Sequence, residues 1–320
     1  MSNCVSPKIL KIKTKLIIMK FDPLIIFWKE AISIRGSITP IVISNVLVFG
    51  IIAAFICVVD HYVEEIFQVN LGLEVGPHEI AGAALGLLLI LRTNAGHERW
   101  WEGRTLWGGI VNQSRNLAME ALAYGPKDKP WRKEVITWVV AFPYASKAEL
   151  RSEKEMEKFE QLLGKREAEK LITSSHMPFY VLLKIAGLLR SALDKGFLNS
   201  FAFAQMERER SILMDHIGAC ERILKTPLPF VYSVKIRRFV ALFLVTLPFA
   251  LLHQMETDWL VPLVIMLVGY PLVSLDQIGI ELQNPFYKSS LNHLPLDEIA
   301  ASIEKTLYEM LESFENEEEK

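Results

Sequence analysis

The stretch AGAALGLLLILRTNAGHERWWEGRTLWG, from Ala81 to Gly108, decides how this chain is built. Its uncharged part, Ile80 to Leu91, is about twelve residues long, and a helix of that length covers about 18 Å, short of the ~30 Å hydrocarbon core of a bilayer. It is also too apolar, and too rich in Ala and Gly, for an ordinary amphipathic surface helix. A helix too short to cross lipid alone can lie at membrane depth when protein surrounds it. Ala81, Gly82, Ala83, Ala84 and Gly86 allow the close helix approach this requires.

Ala83, Leu87 and Leu91 fall on one face of such a helix, at i, i+4 and i+8. Several copies around an axis would form apolar rings that gate ions by dewetting. The commoner use of this spacing is a buried packing stripe, and periodicity does not choose between the two. Polar residues begin at Arg92, Thr93 and Asn94, and helix through HERWWEGRTLW is predicted to lead out of the membrane into the cytoplasm. Asn94, Trp100, Trp101 and Trp107 equally suit the bilayer interface.

The rest of the chain supports a mixed membrane and soluble architecture. Of 320 residues, 51% are hydrophobic and 22% charged, with a mean hydropathy of +0.25. The net charge of -2, with both signs interleaved, provides no basic face, so nucleic acid is excluded as a partner. Cys4, Cys57 and Cys220 are far apart and lack zinc-site spacing, so free and mostly buried thiols are expected. Residues 1–20 carry Lys8, Lys11, Lys13, Lys15 and Lys20 without the apolar core or cleavage site of a secretory signal. They read equally as a cytoplasmic basic arm or as a disordered tail without a task.

Between Gly36 and Val59 no residue is charged, and ITPIVISNVLVFGIIAAFICVV is long enough to span a bilayer. Phe239–Leu252 and Trp259–Leu275, separated by HQMETD and interrupted by Pro248, Pro262 and Pro271, resemble a helical hairpin within the membrane. Lys and Arg are absent from Asp60–Glu79 and His253–Asp258. They recur at Lys20, Lys29 and Arg35, at Arg92, Arg99 and Arg104, and at Lys235, Arg237 and Arg238. By the positive-inside rule this predicts four crossings with both termini in the cytoplasm.

The domain reading is therefore a basic arm over 1–20, a segment with the first two membrane helices over 21–108, a helical cytoplasmic domain over 109–236, the third and fourth membrane helices over 237–276, and a C-terminal cytoplasmic segment over 277–320. Strand alternation and hairpin turns are scarce, so the fold class is all-α. RSEKEMEKFEQLLGKREAEK, Arg151 to Lys170, reads as a solvated helix face, and ESFENEEEK, Glu312 to Lys320, as a disordered acidic tail.

The motifs of hydrolases, metalloproteases and nucleotide-binding loops are absent, and the seven histidines are scattered. An enzyme is not expected, nor a cofactor. A secondary transporter would need an ionisable residue at the midplane, whereas the four apolar segments contain no Asp, Glu, Lys or Arg. A membrane-anchored scaffold would use Arg151–Lys170 and the acidic tail as docking surfaces, and would conduct nothing in liposomes. In KTPLPFVYSVKIRRF, Lys225 to Phe239, Pro227 and Pro229 hold Leu228 on a stiff, extended turn. In a symmetric assembly that turn is a second constriction, and otherwise only a rigid helix boundary.

RWWEGRTLWG (Arg99–Gly108), CERILKTPLPFVYSVKIRRF (Cys220–Phe239), LFLVTLPFAL (Leu242–Leu251) and ELQNPF (Glu281–Phe286) together resemble the bestrophin channels, in their bacterial and plant-like branch. The resemblance implies a homopentamer in the bacterial inner membrane, with one central ion pathway and four membrane helices per subunit. It makes small inorganic ions, membrane lipids and further copies of the chain the partners. Counting back from Arg99 puts the pore neck at Ala83, Leu87 and Leu91, and the cytoplasmic aperture at Leu228 between Pro227 and Pro229. Arg99, Trp100, Glu102, Arg104, Asn284, Pro285 and Phe286 carry the family motifs.

Neck positions in the family are usually Ile or Phe, so Ala83 implies a wider outer ring. The calcium clasp of animal members uses a run of acids, whereas ELQNPFYKSS offers only Glu281. Ca²⁺ prefers six to eight oxygens, several from carboxylates, so no metal site and no calcium activation are expected. Currents rising steeply with micromolar Ca²⁺ in the purified protein would contradict this. Animal and plant relatives pass chloride and other small anions, while some bacterial ones favour monovalent cations. The uncharged rings set a hydration barrier rather than a charge filter, and the expectation for this chain is an anion channel, with a Na⁺/K⁺ channel as the alternative.

Overall fold

A computed structural model describes residues 23–318 apart from 35, 253 and 256, with the backbone only for 23–26. The basic arm over 1–20 and Cys4 lie outside the described residues. The described chain is all-helical: α1 (Pro23–Ala31), α2 (Thr39–Phe67), α3 (Val75–Tyr124), α4 (Lys129–Arg151), α5 (Met156–Leu163), α6 (Lys165–Thr173), α7 (Met177–Asp194), α8 (Ser200–Lys225), α9 (Phe230–Leu251), a 3₁₀ turn (Asp258–Leu260), α10 (Val261–Glu281) and α11 (Leu296–Glu318).

Two cores share one helix. Ala53 and Ile56 of α2, Leu85 and Leu89 of α3, Val240, Phe243 and Leu244 of α9, and Ile265 of α10 form the first core. The second joins Trp107, Ile110 and Leu117 of α3 to Val139 and Phe142 of α4, Leu182 and Ile185 of α7, Leu213 and Ile217 of α8, and Leu307 of α11. The element expected to be short is thus part of a 50-residue helix, about 75 Å long. It runs unbroken across positions 108 and 109, where the sequence reading changes from membrane segment to cytoplasmic domain. Trp107 is fully buried in the second core, which corrects its reading as an interfacial anchor.

Among the described residues three helices are long and apolar enough to cross a membrane: Thr39–Phe67, Val75–Tyr124 and Asp258–Glu281. The α9 helix packs between them, but Lys235, Arg237 and Arg238 in its first turns shorten its uncharged part to Phe239–Leu251.

Two further expectations are corrected. Arg151–Lys170 is not one solvated face: α5 and α6 separate at Gly164, and both bury apolar residues, Phe159, Ala168 and Leu171. The acidic tail is helical as far as Glu318. Ile303, Leu307 and Leu311 give α11 a buried face, and Arg132 closes its end on the Glu318 carboxylate at 2.5 Å. Helix and burial together outweigh the like-charge repulsion that composition alone suggests. Cys57 and Cys220 are buried free thiols. Burial, then Glu102 and Glu221, push the Cys220 thiol up to about 12, so it stays protonated and inert.

The start of α11 is clamped on α4. Asp297 accepts from Lys147 Nζ at 2.8 Å and from Arg151 Nη1 at 2.7 Å. Burial raises its pKa, but these two cations outweigh that and hold it down to about 2, below the ~3.9 of an unfolded Asp. The clamp therefore contributes in full above about pH 4, and its contribution is lost as pH falls toward about 2. Asp297→Asn is expected to remove that part of the acid dependence of unfolding, followed by helicity between those pH values. An unchanged acid profile would show that the clamp contributes nothing.

Candidate ion pathway

The α3 helix presents two unlike faces where it leaves the first core. Leu85, Leu89, Arg92 and Gly96 are buried against the rest of the chain. The opposite face runs through Ile80, Ala84, Leu87, Leu91, Asn94, Glu98, Trp101 and Thr105, alternately three and four residues apart, and stays exposed throughout. It is apolar as far as Leu91, and beyond that carries Asn94, Glu98 and Thr105 with Trp101 among them. Ala83 is exposed beside it, and Leu87 and Leu91 are 60% and 51% exposed. The stripe of Ala83, Leu87 and Leu91 is therefore not a packing stripe within its own chain. That task falls to Leu85 and Leu89.

The buried face is fixed by a group of charges that the sequence reading missed. Arg92, fully buried, lies 2.5 Å from Asp276 Oδ1 of α10, and Arg237 Nε of α9 donates to Asp276 Oδ2 at 2.9 Å. Arg92 and Asp276 stand immediately after the apolar runs that end at Leu91 and Leu275, so the runs look uncharged. The signal was their matching positions at the ends of two segments. One turn further on, a Cβ at position 96 would lie 2.9 Å from the Gly279 carbonyl oxygen, so only glycine permits this crossing of α3 and α10.

The family motifs meet at Arg99. Its Nη2 donates to the Ile223 carbonyl at 2.5 Å and its Nε to the Gln283 carbonyl at 3.3 Å, which joins α3 to the ends of α8 and α10. Trp100 Nε1 donates to the Asn292 carbonyl at 2.7 Å. Asn284 Oδ1 accepts from the Phe286 amide at 3.1 Å and shapes the turn. Pro285 and the fully buried Phe286 approach Gly103 so closely that a Cβ there would meet the proline ring at 2.9 Å. Arg151, another residue missed, donates to the Phe286 and Leu294 carbonyls from the other side. Glu102 pairs with Arg222 of α8 at 2.5 Å. Arg104 stays on the exposed face of α3 and joins none of this.

Leu228 lies, partly buried, on the linker 226–229 between α8 and α9, with Pro227 and Pro229 exposed on either side. Thr226 has φ -121° and ψ 75°, outside the helical region, as a following proline requires. Because Arg99 holds the Ile223 carbonyl, the exposed stripe on α3 and this linker are mechanically joined. Glu281 is occupied by protein donors: Ser290 Oγ, the Leu291 amide and Gln277 Nε2 all donate to its carboxylate. Among the described residues no three His, Cys, Asp or Glu are grouped to hold a metal ion.

Comparison with known proteins gives a consistent answer. A voltage-dependent anion channel-forming protein of Nostoc is 31% identical over 285 residues, covering 88% of this chain and 90% of that protein. The channel-forming protein YneE of Escherichia coli K12 is 31% identical over 75% of this chain and 79% of its own length. The crystal structure of a bacterial bestrophin homolog from Klebsiella pneumoniae superposes with a TM-score of 0.77 at 27% identity, covering 84% of this chain and 98% of that one. The description "Bacterial/Fungal Bestrophin protein" fits residues 19–309. With nearly its whole length accounted for, this all-α integral membrane protein belongs to the bacterial and fungal bestrophin family.

Proposed function

We propose that the chain is one subunit of a homopentameric anion channel of the bacterial inner membrane, with four crossings per subunit and both termini in the cytoplasm. In this reading Ala83, Leu87 and Leu91 line the neck, and Leu228, held between Pro227 and Pro229, lines the cytoplasmic aperture. The observation that carries it is the exposed apolar face of α3, set opposite a tightly packed one. A helix that buries Leu85 and Leu89 in its own chain and leaves Leu87 and Leu91 free has a second apolar surface to cover. Symmetric copies around an axis cover it and leave a narrow apolar bore.

The relatives named as anion channel-forming proteins support the choice of ion. Arg99 gives the reading its mechanics, since a shift of α3 would move the linker that carries Leu228. The test is a planar-bilayer recording of purified protein across asymmetric KCl. A reversal potential near the chloride equilibrium value is the expected result. One near the potassium value would make this a cation channel, and absence of current would sink the channel reading altogether.

A further inference from the structure

A cleft of about 290 Å³ opens between α2, α9 and α10, beside the Arg92–Asp276–Arg237 group. Its apolar wall is Phe49, Val240 and Val273, and its polar lining is Arg237, Asn45, Gln277 and the Asp276 carboxylate that Arg92 and Arg237 share. The charges there do not balance. Asp276 is the single carboxylate shared by two guanidinium groups. Arg92, fully buried, has Asp276 as its ion-pair partner through Nη1, and none of its three nitrogens makes a hydrogen bond to the described residues. Arg237 is tied only through Nε, and its side chain is 56% exposed. Its two terminal nitrogens make no hydrogen bond to any described residue, and neither does the amide of Asn45, which lines the same cleft. One positive charge per chain is left over at the Lys/Arg-rich start of α9, where an anionic headgroup at the membrane surface would neutralise it.

We propose that this cleft binds the headgroup of an anionic phospholipid. A phosphate diester accepts two parallel hydrogen bonds from the fork of Arg237, with Asn45 as a further donor. Its negative charge completes the neutralisation that Asp276 leaves half done, and an acyl chain lies along Phe49, Val240 and Val273. Exposed Lys235 and Arg238 flank Arg237 and add attraction to an anionic membrane surface. The site lies between α2, α9 and α10, and no residue of the exposed stripe of α3 lines it. It is a candidate for structural or regulatory lipid rather than for the permeating ion.

The test uses the full-length oligomer in neutral detergent, with retained lipid read by native mass spectrometry. Phosphatidylglycerol and phosphatidylcholine of identical chains are offered to the parent protein, to Arg237→Gln and to Ala241→Trp. The first substitution removes the charge, and the second fills the cleft and leaves every charge in place. Retention of phosphatidylglycerol over phosphatidylcholine is expected, with occupancy lower by about tenfold in Arg237→Gln, as for loss of a charge-assisted hydrogen bond, and lower also in Ala241→Trp, where the indole occupies the space of the lipid. Equal retention of the two lipids, or equal phosphatidylglycerol in parent and variants, overturns the proposal. Millimolar inorganic phosphate is added against a chloride control of equal ionic strength. Displacement of the lipid by phosphate would identify a free-anion site and overturn the lipid assignment, while retention supports it. The readout does not depend on conduction, so it stands or falls separately from the channel reading.

Discussion

Shortening Leu87 or Leu91 to alanine is expected to raise single-channel conductance by about 3- to 10-fold, equivalent to a barrier lower by about 0.7–1.4 kcal/mol. In the proposed symmetric pore each substitution removes three carbons from every copy around the axis, which would widen the bore and lower the cost of keeping it wet. Both side chains are more than half exposed in their own chain, so truncation leaves no cavity in the first core. Stability should therefore change little. Leu89→Ala provides the contrast, because Leu89 is fully buried two residues from Leu87. It should cost about 2–5 kcal/mol and leave conductance per open channel unchanged. The measurement is paired: bilayer recordings for conductance and thermal melting of the detergent-solubilised oligomer for stability. If Leu87→Ala and Leu91→Ala conduct like the parent, these leucines face lipid or another subunit, and the assigned register is wrong.

The second large effect belongs to Arg99→Ala. The guanidinium serves two carbonyls near helix C-termini, Ile223 in the last turn of α8 and Gln283 just beyond α10. Both are groups that a helix end leaves without an internal partner, and a cation is favoured at each by the helix dipole. Two hydrogen bonds from a charged donor contribute about 3–5 kcal/mol together, which corresponds to a melting temperature lower by about 10 °C. Arg99→Lys keeps the charge but offers one compact ammonium to two separated carbonyls, so it should restore only part of the loss. Since the same residue ties α3 to the linker bearing Leu228, the alanine variant should also show altered gating at temperatures where it remains folded. Melting and gating both equal to the parent would mean that the motif arginine holds nothing together.

Much of this architecture is legible in the residues one at a time. The apolar run before Asp60, the alternation of Lys/Arg-rich and Lys/Arg-free loops, the scarcity of strand patterns and the paired prolines around Leu228 are local signals, and local physics enforces them. The motif segments around Arg99, Pro227 and Asn284 stand out as sequence, and their meeting at one guanidinium explains why three distant stretches resemble one family together. Other features could not be read this way. The 50-residue α3 carries Arg92 fully buried, opposite a partner, Asp276, that lies 184 residues away. The acidic tail is held by Arg132, 186 residues from Glu318, and by a buried face on α11 that composition conceals.

Sequence by itself determined that the chain is helical, that it carries segments fit for a membrane, and that Ala83, Leu87 and Leu91 share a face. A 3.6-residue period fixes which side chains point the same way. It does not fix what they point at, because any face of an apolar helix can be the packed one. Only the tertiary structure decided that Leu85, Leu89, Arg92 and Gly96 turn inward, since that choice rests on where α9 and α10 place their own apolar side chains, Asp276 and the Gly279 carbonyl. With the inward face taken, Leu87 and Leu91 are left on the outside, where burial within a single chain cannot reach them.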